Sequence, residues 1–203
     1  MKRMGIVFVV SAPSGAGKTT LCNALRERPD FVYSVSCTTR KPRRGEIDGE
    51  DYHFLAHEDF ESRIKKGDFL EYAKVHDNYY GTLKSAVLKA IETGKDVLLD
   101  IDVQGAELIR SCTDPAILSA LVDIFMMTPS FTELDRRLRK RATESEDQIQ
   151  IRLQNARDEV QNWRKYKYII LSGSIEEDLD KFRAIMKAEG YRSARIQNHD
   201  FEK

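Results

Sequence analysis

Ala12-Pro13-Ser14-Gly15-Ala16-Gly17-Lys18-Thr19 is the stretch on which the fold turns. An apolar, β-branched run at residues 6–10 precedes it. A segment at 19–28 follows, with Leu21 and Leu25 on one face and Pro29 as its stop. Strand, glycine-rich turn and helix form the context that a Walker A phosphate loop requires. Gly15 and Gly17 let the backbone turn tightly with its N–H groups pointing inward. Those amides and the helix N-terminus make a cradle for anionic oxygens. Lys18 adds a compact positive charge for the β- and γ-phosphates, and the Thr19 hydroxyl is a ligand for Mg²⁺. The candidate ATP-binding set therefore runs from Ala12 to Thr20: Ala12, Pro13, Ser14, Gly15, Ala16, Gly17, Lys18, Thr19 and Thr20. The pattern's first glycine is replaced by Ala12, which starts the loop and is not the position nearest phosphate.

Outward from the loop, further apolar runs stand at 97–101, 122–127 and 168–171. They lack alternation, which predicts strands covered on both faces, as in a parallel α/β sheet. Two stretches break the rhythm. Residues 34–89 are rich in Arg, Tyr, Gly and Asp, with turns expected at Gly45 and Gly49, and read as an inserted lobe. Residues 130–163 read as a helical hairpin. Its first helix is expected to open on a Ser130/Glu133 capping box and to turn Phe131, Leu134 and Leu138 inward. Its second is expected to open on a Thr143/Glu146 box and to bury Ile149, Leu153, Ala156, Val160 and Trp163.

Lysine plus arginine balances aspartate plus glutamate at 33 each in 203 residues. That balance speaks against a general nucleic-acid or membrane-surface binder, while leaving room for a local basic pocket. Cys22, Cys37 and Cys112 have neither framework nor metal-ligand spacing, so free thiols in a reducing, cytoplasmic compartment are expected. The apolar start is too short to span a bilayer and has no cleavage pattern. His53 and His57 lack the glutamate of a zinc-protease motif, and no metal is expected there.

The stretch from Ser34 to Phe54 contains Ser36, Arg40, Arg43, Glu46 and Tyr52, and it closely resembles the signature of guanylate kinases. Glu71-Tyr72-Ala73, Asn78-Tyr79-Tyr80-Gly81-Thr82, Asp100-Ile101-Asp102-Val103-Gln104-Gly105 and the arginines between Arg137 and Arg152 resemble further motifs of that family, in the same order. The resemblance implies an α/β P-loop fold of the nucleoside-triphosphate hydrolase type: three layers around a parallel sheet, plus a GMP-binding lobe and a helical lid. The domain would cover 4–184, with a core of 1–33, 90–128 and 164–203, a lobe of 34–89 and a lid of 129–163. The implied reaction moves the γ-phosphoryl group of ATP to GMP, giving ADP and GDP, with Mg²⁺, in purine nucleotide metabolism and GTP/dGTP supply. dGMP is a second candidate acceptor. A monomer and a homo-oligomer both stay open, as does a second reading of the whole chain as a catalytically inactive, guanylate-kinase-like interaction module.

Chemistry agrees with the resemblance. Guanidinium forks clamp phosphate bidentately, and Arg40 and Arg43 are spaced to share one anion. The resemblance adds Tyr52 and Tyr80 beside them. Guanine offers N1–H and N2–H₂ donors and an O6 acceptor, which a carboxylate and a hydroxyl match. The resemblance gives those roles to Glu71 and Ser36, with Thr82 and Asp102 as further base contacts; Asp102 has a second reading as a helix cap. Asp100 ends an apolar strand, as a carboxylate that organises Mg²⁺ through water does, and a helix cap is again the alternative. Arg136, Arg137, Arg139, Lys140 and Arg141 form a basic cluster that a plain reading makes a solvated helix end. The resemblance instead assigns Arg137, Arg141 and Arg152 to a lid closing on ATP, with Arg136 and Arg139 facing solvent. After the last strand the family has Asn-Asp near the adenine; this chain has Ser172-Gly173, which puts the reading of the donor base in question.

Overall fold

The computed structural model describes residues 2–27, 31–75, 77–140 and 145–198. In chain order the strands are β1 (Lys2–Arg3), β2 (Val7–Ser11), β3 (Val32–Tyr33), β4 (Cys37–Thr38), β5 (His53–Phe54), β6 (Phe69–Val75), β7 (Asn78–Leu83), β8 (Val97–Asp100), β9 (Leu121–Met127), β10 (Tyr168–Leu171) and β11 (Ile196–Asn198). The helices are α1 (Lys18–Arg26), α2 (His57–Lys66), α3 (Lys84–Glu92), α4 (Val103–Arg110), α5 (Pro115–Ala120), α6 (Phe131–Lys140), α7 (Glu146–Val160) and α8 (Ile175–Gly190).

Five strands make one sheet in the order β10-β9-β2-β8-β3, and every pairing in it is parallel. Side chains alternate across its faces. Ile6, Phe8 and Val10 turn toward Leu21 and Leu25 of α1 and Phe182 of α8. Val7 and Val9 turn toward Val87 and Ile91 of α3, Ile109 of α4 and Ile117 of α5. The chain thus forms the three layers expected, with β2 wholly buried between them. Each such side chain contributes about 1.5–3 kcal/mol through burial. The expectation of cover on both faces fails at β10. Ile169 and Leu171 there remain 40% and 50% exposed, because β10 is the sheet's edge and extends past its helical cover. No described helix is long and apolar enough to cross a membrane.

The inserted lobe carries its own sheet, β5-β4-β7-β6, with β6 and β7 antiparallel. Phe60 of α2 anchors it, stacked on Phe69 and Tyr79 with ring centroids 4.2 and 5.2 Å away. Gly45 and Gly49 take positive φ values of 92° and 81°, as their turns require.

In the hairpin, Leu134, Leu138, Ile149 and Ala156 form a separate small core, with Leu153 packed against it. Four details differ from the sequence reading, the first being that Val160 and Trp163 are only half-buried and pack against the main core on the Val7 and Val9 face, not within the hairpin. Phe131, the first residue of α6, is 43% exposed. The box that opens α7 is Ser145/Gln148, each side chain bonded to the other's backbone, in place of Thr143/Glu146; Thr143 lies outside the described residues. At α6 only half a box exists. The Glu133 N–H donates to Ser130 Oγ at 3.1 Å, while the Glu133 carboxylate turns to Arg136 and Arg137. Cations within one turn outcompete the capping amide for that carboxylate.

Candidate active site

Parallel register brings the strand ends of β2 and β8 side by side, Val10 opposite Asp100. Clefts at the carboxyl ends of such strands are where α/β sheets bind ligands. The loop after β2 holds Gly15 and Gly17 at φ 89° and 105°, both in the left-handed region. A Cβ at Gly15 would meet Leu138 Cδ2 at 2.8 Å, so the small core of the helical hairpin also excludes a side chain there. Ala12 packs into the core beneath the loop, and Gly17 caps α1 without a side chain. Thr19 and Thr20 are exposed on the first turn. Lys18 Nζ is 2.7 Å from Asp100 Oδ1 and donates to the Ile101 carbonyl at 2.9 Å. Asp100 is therefore a partner of the loop lysine, and the cap of the following helix is Asp102. One turn beyond Lys18, burial pushes the Cys22 thiol up to about 12, with the charge of Asp100 adding to the effect.

Across the cleft stands Glu71 on β6. It is 7% exposed and registered opposite Thr82 of β7, which is 1% exposed. The Thr82 hydroxyl donates to Glu71 Oε1 at 2.6 Å. Burial raises the Glu71 pKa, Asp102 raises it further, and the Thr82 hydrogen bond opposes both. Asp102 is the N-cap of α4, accepting from the Gly105 N–H at 2.8 Å. The helix-cap reading of Asp102 is thus realised with Oδ1. A cavity of about 330 Å³ is lined by Arg26, Ser36, Tyr52, Thr82 and Asp100 among others. It joins the partner of Glu71 to the partner of Lys18.

Arg40 forms a two-point bond with Glu46, at 2.9 and 2.8 Å, and lies 5.4 Å from the centre of the Tyr52 ring. The Tyr52 and Tyr80 rings meet edge to face at 6.1 Å. Arg43 is exposed, and its backbone N–H donates to Glu46 Oε2 at 2.6 Å. Glu46 thus organises both arginines, and the Arg40 fork holds its carboxyl below the usual range. Sequence reasoning gave Glu46 no role. Its spacing, six residues after Arg40 and three after Arg43, was the available signal.

From the helical hairpin, Arg137 reaches the loop and the residue after β10. It donates to Ala16 O at 3.3 Å, Ser172 Oγ at 2.8 Å and Ser172 O at 3.3 Å, and is steadied by Glu133 at 2.7 Å. The Ser172 hydroxyl in turn donates to Asp178 Oδ2 at 2.9 Å. Arg152 donates to Ser14 Oγ at 3.1 Å. The Ser14 N–H donates to Glu159 Oε2 at 3.3 Å, a contact sequence reasoning missed although Glu159 falls two helical turns after Arg152. Arg141 lies outside the described residues. Arg136 and Arg139 face solvent as expected, 61% and 42% exposed and paired with carboxylates of the lid itself. Among the described residues no group of three or more His, Cys, Asp or Glu side chains could hold a metal ion.

Comparison with known proteins gives one consistent answer. The family model described as guanylate kinase matches residues 4–189. The chain is 47% identical to the guanylate kinase of Syntrophotalea carbinolica over 200 residues, covering 98% of this chain and 92% of the relative. It is 43% identical to that of Clostridium tetani over 194 residues, covering 96% and 91%. Among solved structures it is similar to guanylate kinase from Anaplasma phagocytophilum, at 33% identity and a TM-score of 0.72 over 96% of this chain and 91% of that one.

Proposed function

The chain belongs to the guanylate kinase family and is an enzyme, a nucleoside-monophosphate kinase; on that premise we propose how its residues carry out the transfer from ATP to GMP. ATP lies with its phosphates on the loop from Ala12 to Thr20. GMP lies in the lobe, its base on Glu71, Ser36, Thr82 and Asp102, its phosphate between Arg40, Arg43, Tyr52 and Tyr80. The observation that carries this reading is the single cavity lined both by Thr82, which holds the buried Glu71, and by Asp100, which holds Lys18. A cleft so built aligns two phosphates end to end.

An acceptor phosphate oxygen is already anionic, so no side chain has to act as a strong base. That oxygen bonds to the γ-phosphorus as the bond to the β–γ bridging oxygen breaks, and ADP leaves. Lys18, Arg137, Arg141 and Arg152 stabilise the charge spread over the transferred group once the lid excludes water. The donor set near the loop fits Mg²⁺. The Thr19 hydroxyl and the Asp100 carboxylate are hard oxygen ligands, few enough to leave positions for water and phosphate oxygens. Bound there, the ion would neutralise phosphate charge. The reading extends to purine nucleotide metabolism in the cytoplasm, with dGMP as a further acceptor. Lys18, Thr19 and Asp100 together speak against a module without chemistry.

A coupled assay of ADP release with ATP and Mg²⁺ against GMP, AMP, CMP and UMP tests the proposal. GMP should be preferred by orders of magnitude. Lys18→Ala should lower turnover by about 10²–10³-fold while the fold survives. Equal use of the four acceptors, or unchanged turnover without Lys18, would refute it.

A further inference from the structure

Two side chains of α7 grip a single residue of the phosphate loop. Arg152 donates to Ser14 Oγ at 3.1 Å, and the Ser14 backbone N–H donates to Glu159 Oε2 at 3.3 Å. Residues 152 and 159 lie two turns apart and so project from one helix face. On the same face Ala156 is fully buried in the lid core. The carboxylate lies in the field of Lys18 and Asp102. Burial lifts its pKa above the usual carboxylate range, Asp102 adds to the rise, and the Ser14 amide and Lys18 oppose it. A half-buried glutamate is thus held against an amide of a loop built to receive anionic oxygens.

Ser14 stands at the strand side of the loop, four residues ahead of Lys18 and the first turn of α1. Loop amides nearer the helix cradle the inner phosphates, while the lysine reaches the β- and γ-phosphates. An anion that bonds the Ser14 amide and senses Lys18 therefore lies toward the outer end of the phosphate chain. We propose that Glu159 is a stand-in for the donor's terminal phosphate, holding α7 to the loop until a nucleoside triphosphate displaces it. A diphosphate has no group at that end and leaves the contact in place. Displacement would also free Arg152 to turn from the Ser14 hydroxyl to the incoming phosphate, so α7 distinguishes donor from product. The inference rests on the assignment of this loop to ATP.

Calorimetric titration of the full chain and of Glu159→Gln with ATP and with ADP, both with Mg²⁺, tests it. Glutamine is isosteric and loses only the charge. The variant should bind ATP about tenfold more tightly and ADP within about twofold of the unmodified chain, since only the outer phosphate meets the removed charge. Glu159→Ala, which also removes the acceptor oxygen, should show the same asymmetry. A shift common to both nucleotides, as a purely structural role would give, or no shift at all, overturns the proposal. If the unmodified chain bound neither nucleotide, the loop's assignment would fall, and the proposal with it. Binding of both without an ATP-specific change in the variants removes the role of Glu159 alone.

Discussion

Glu71 shows how the surroundings change the chemistry of one side chain. In an extended strand between Phe69 and Tyr72 it would be an ordinary surface charge. Here it is buried, receives the Thr82 hydroxyl at 2.6 Å, and has its pKa raised by burial. A carboxylate accepts from guanine N1–H and N2–H₂ only when ionised. Because its folded pKa is raised, the ionised fraction is lost on acidification at a higher pH than for an exposed glutamate. The kcat/KM for GMP should therefore fall on the acid side earlier than an unperturbed carboxyl would allow. Titration of the GMP phosphate itself is common to both proteins, so comparison with Glu71→Gln isolates the residue. In that variant the extra acid limb should vanish, and the GMP-to-AMP preference should drop by about 10²-fold or more. An unchanged preference would remove Glu71 from base reading. Ser172 is the opposite case. Its hydroxyl proton goes to Asp178 and its oxygen accepts from Arg137, so no hydrogen remains to read a donor base. A donor series of ATP, GTP and ITP with saturating GMP should show kcat/KM values within about tenfold of one another, the spread left when a polar base contact is missing.

At the scale of elements, the first turn of α4 supports the proposed base site. Its cap, Asp102, bonds the Gly105 amide, and Gly105 faces Glu71 across from β6. A Cβ at Gly105 would stand 3.2 Å from Glu71 Oε2 and 3.5 Å from Asp102 Oδ1. Gly105→Ala should leave helix stability equal or improved, since alanine is the better helix former by about 1 kcal/mol. It should still raise KM for GMP by about three- to tenfold, because the carboxylate must shift by a few tenths of an ångström. A raised KM with an unchanged melting temperature supports this, and an unchanged KM refutes it. Elements were legible in the sequence where period and punctuation agreed. The run at 168–171 matches β10, and 97–101 and 122–127 match β8 and β9 within a residue. β3 was not foreseen, since a two-residue strand carries no period. The cap of α7 was misplaced because Thr143 and Ser145 both offer a hydroxyl, and only the closing geometry selects Ser145.

On the scale of the whole molecule, residues 187–198 are part of the fold. β11 pairs antiparallel with β1, bringing residues 196–198 beside residues 2–3. Arg195 and Glu189, each 3% exposed, bond at 2.8 Å; Tyr168 donates to the same carboxylate group and Arg195 to the Ser119 carbonyl. Breaking this pair leaves the buried Glu189 carboxylate with only the Tyr168 hydroxyl and the exposed Arg192, 3.3 Å away. Arg195→Met should therefore destabilise the protein by about 3–5 kcal/mol in denaturant unfolding. The site lies elsewhere, so kcat of the folded fraction should be preserved. A loss below about 1 kcal/mol would mean that water reaches Glu189 and solvates it.

Local chemistry alone pointed to the glycine-rich loop between strand and helix and to the parallel sheet, whereas the later motifs were read by their resemblance to a family. A glycine that must take a positive φ, a lysine beside it and an apolar run all act within a few residues, so their meaning survives without the fold. The partners of the charges were decided only by tertiary structure. That Glu46 holds Arg40, that Asp102 caps α4, that Ser172 is spoken for and that Glu159 rests on the loop all depend on which surfaces meet. Electrostatic energy depends on distance and burial, and a linear sequence contains neither.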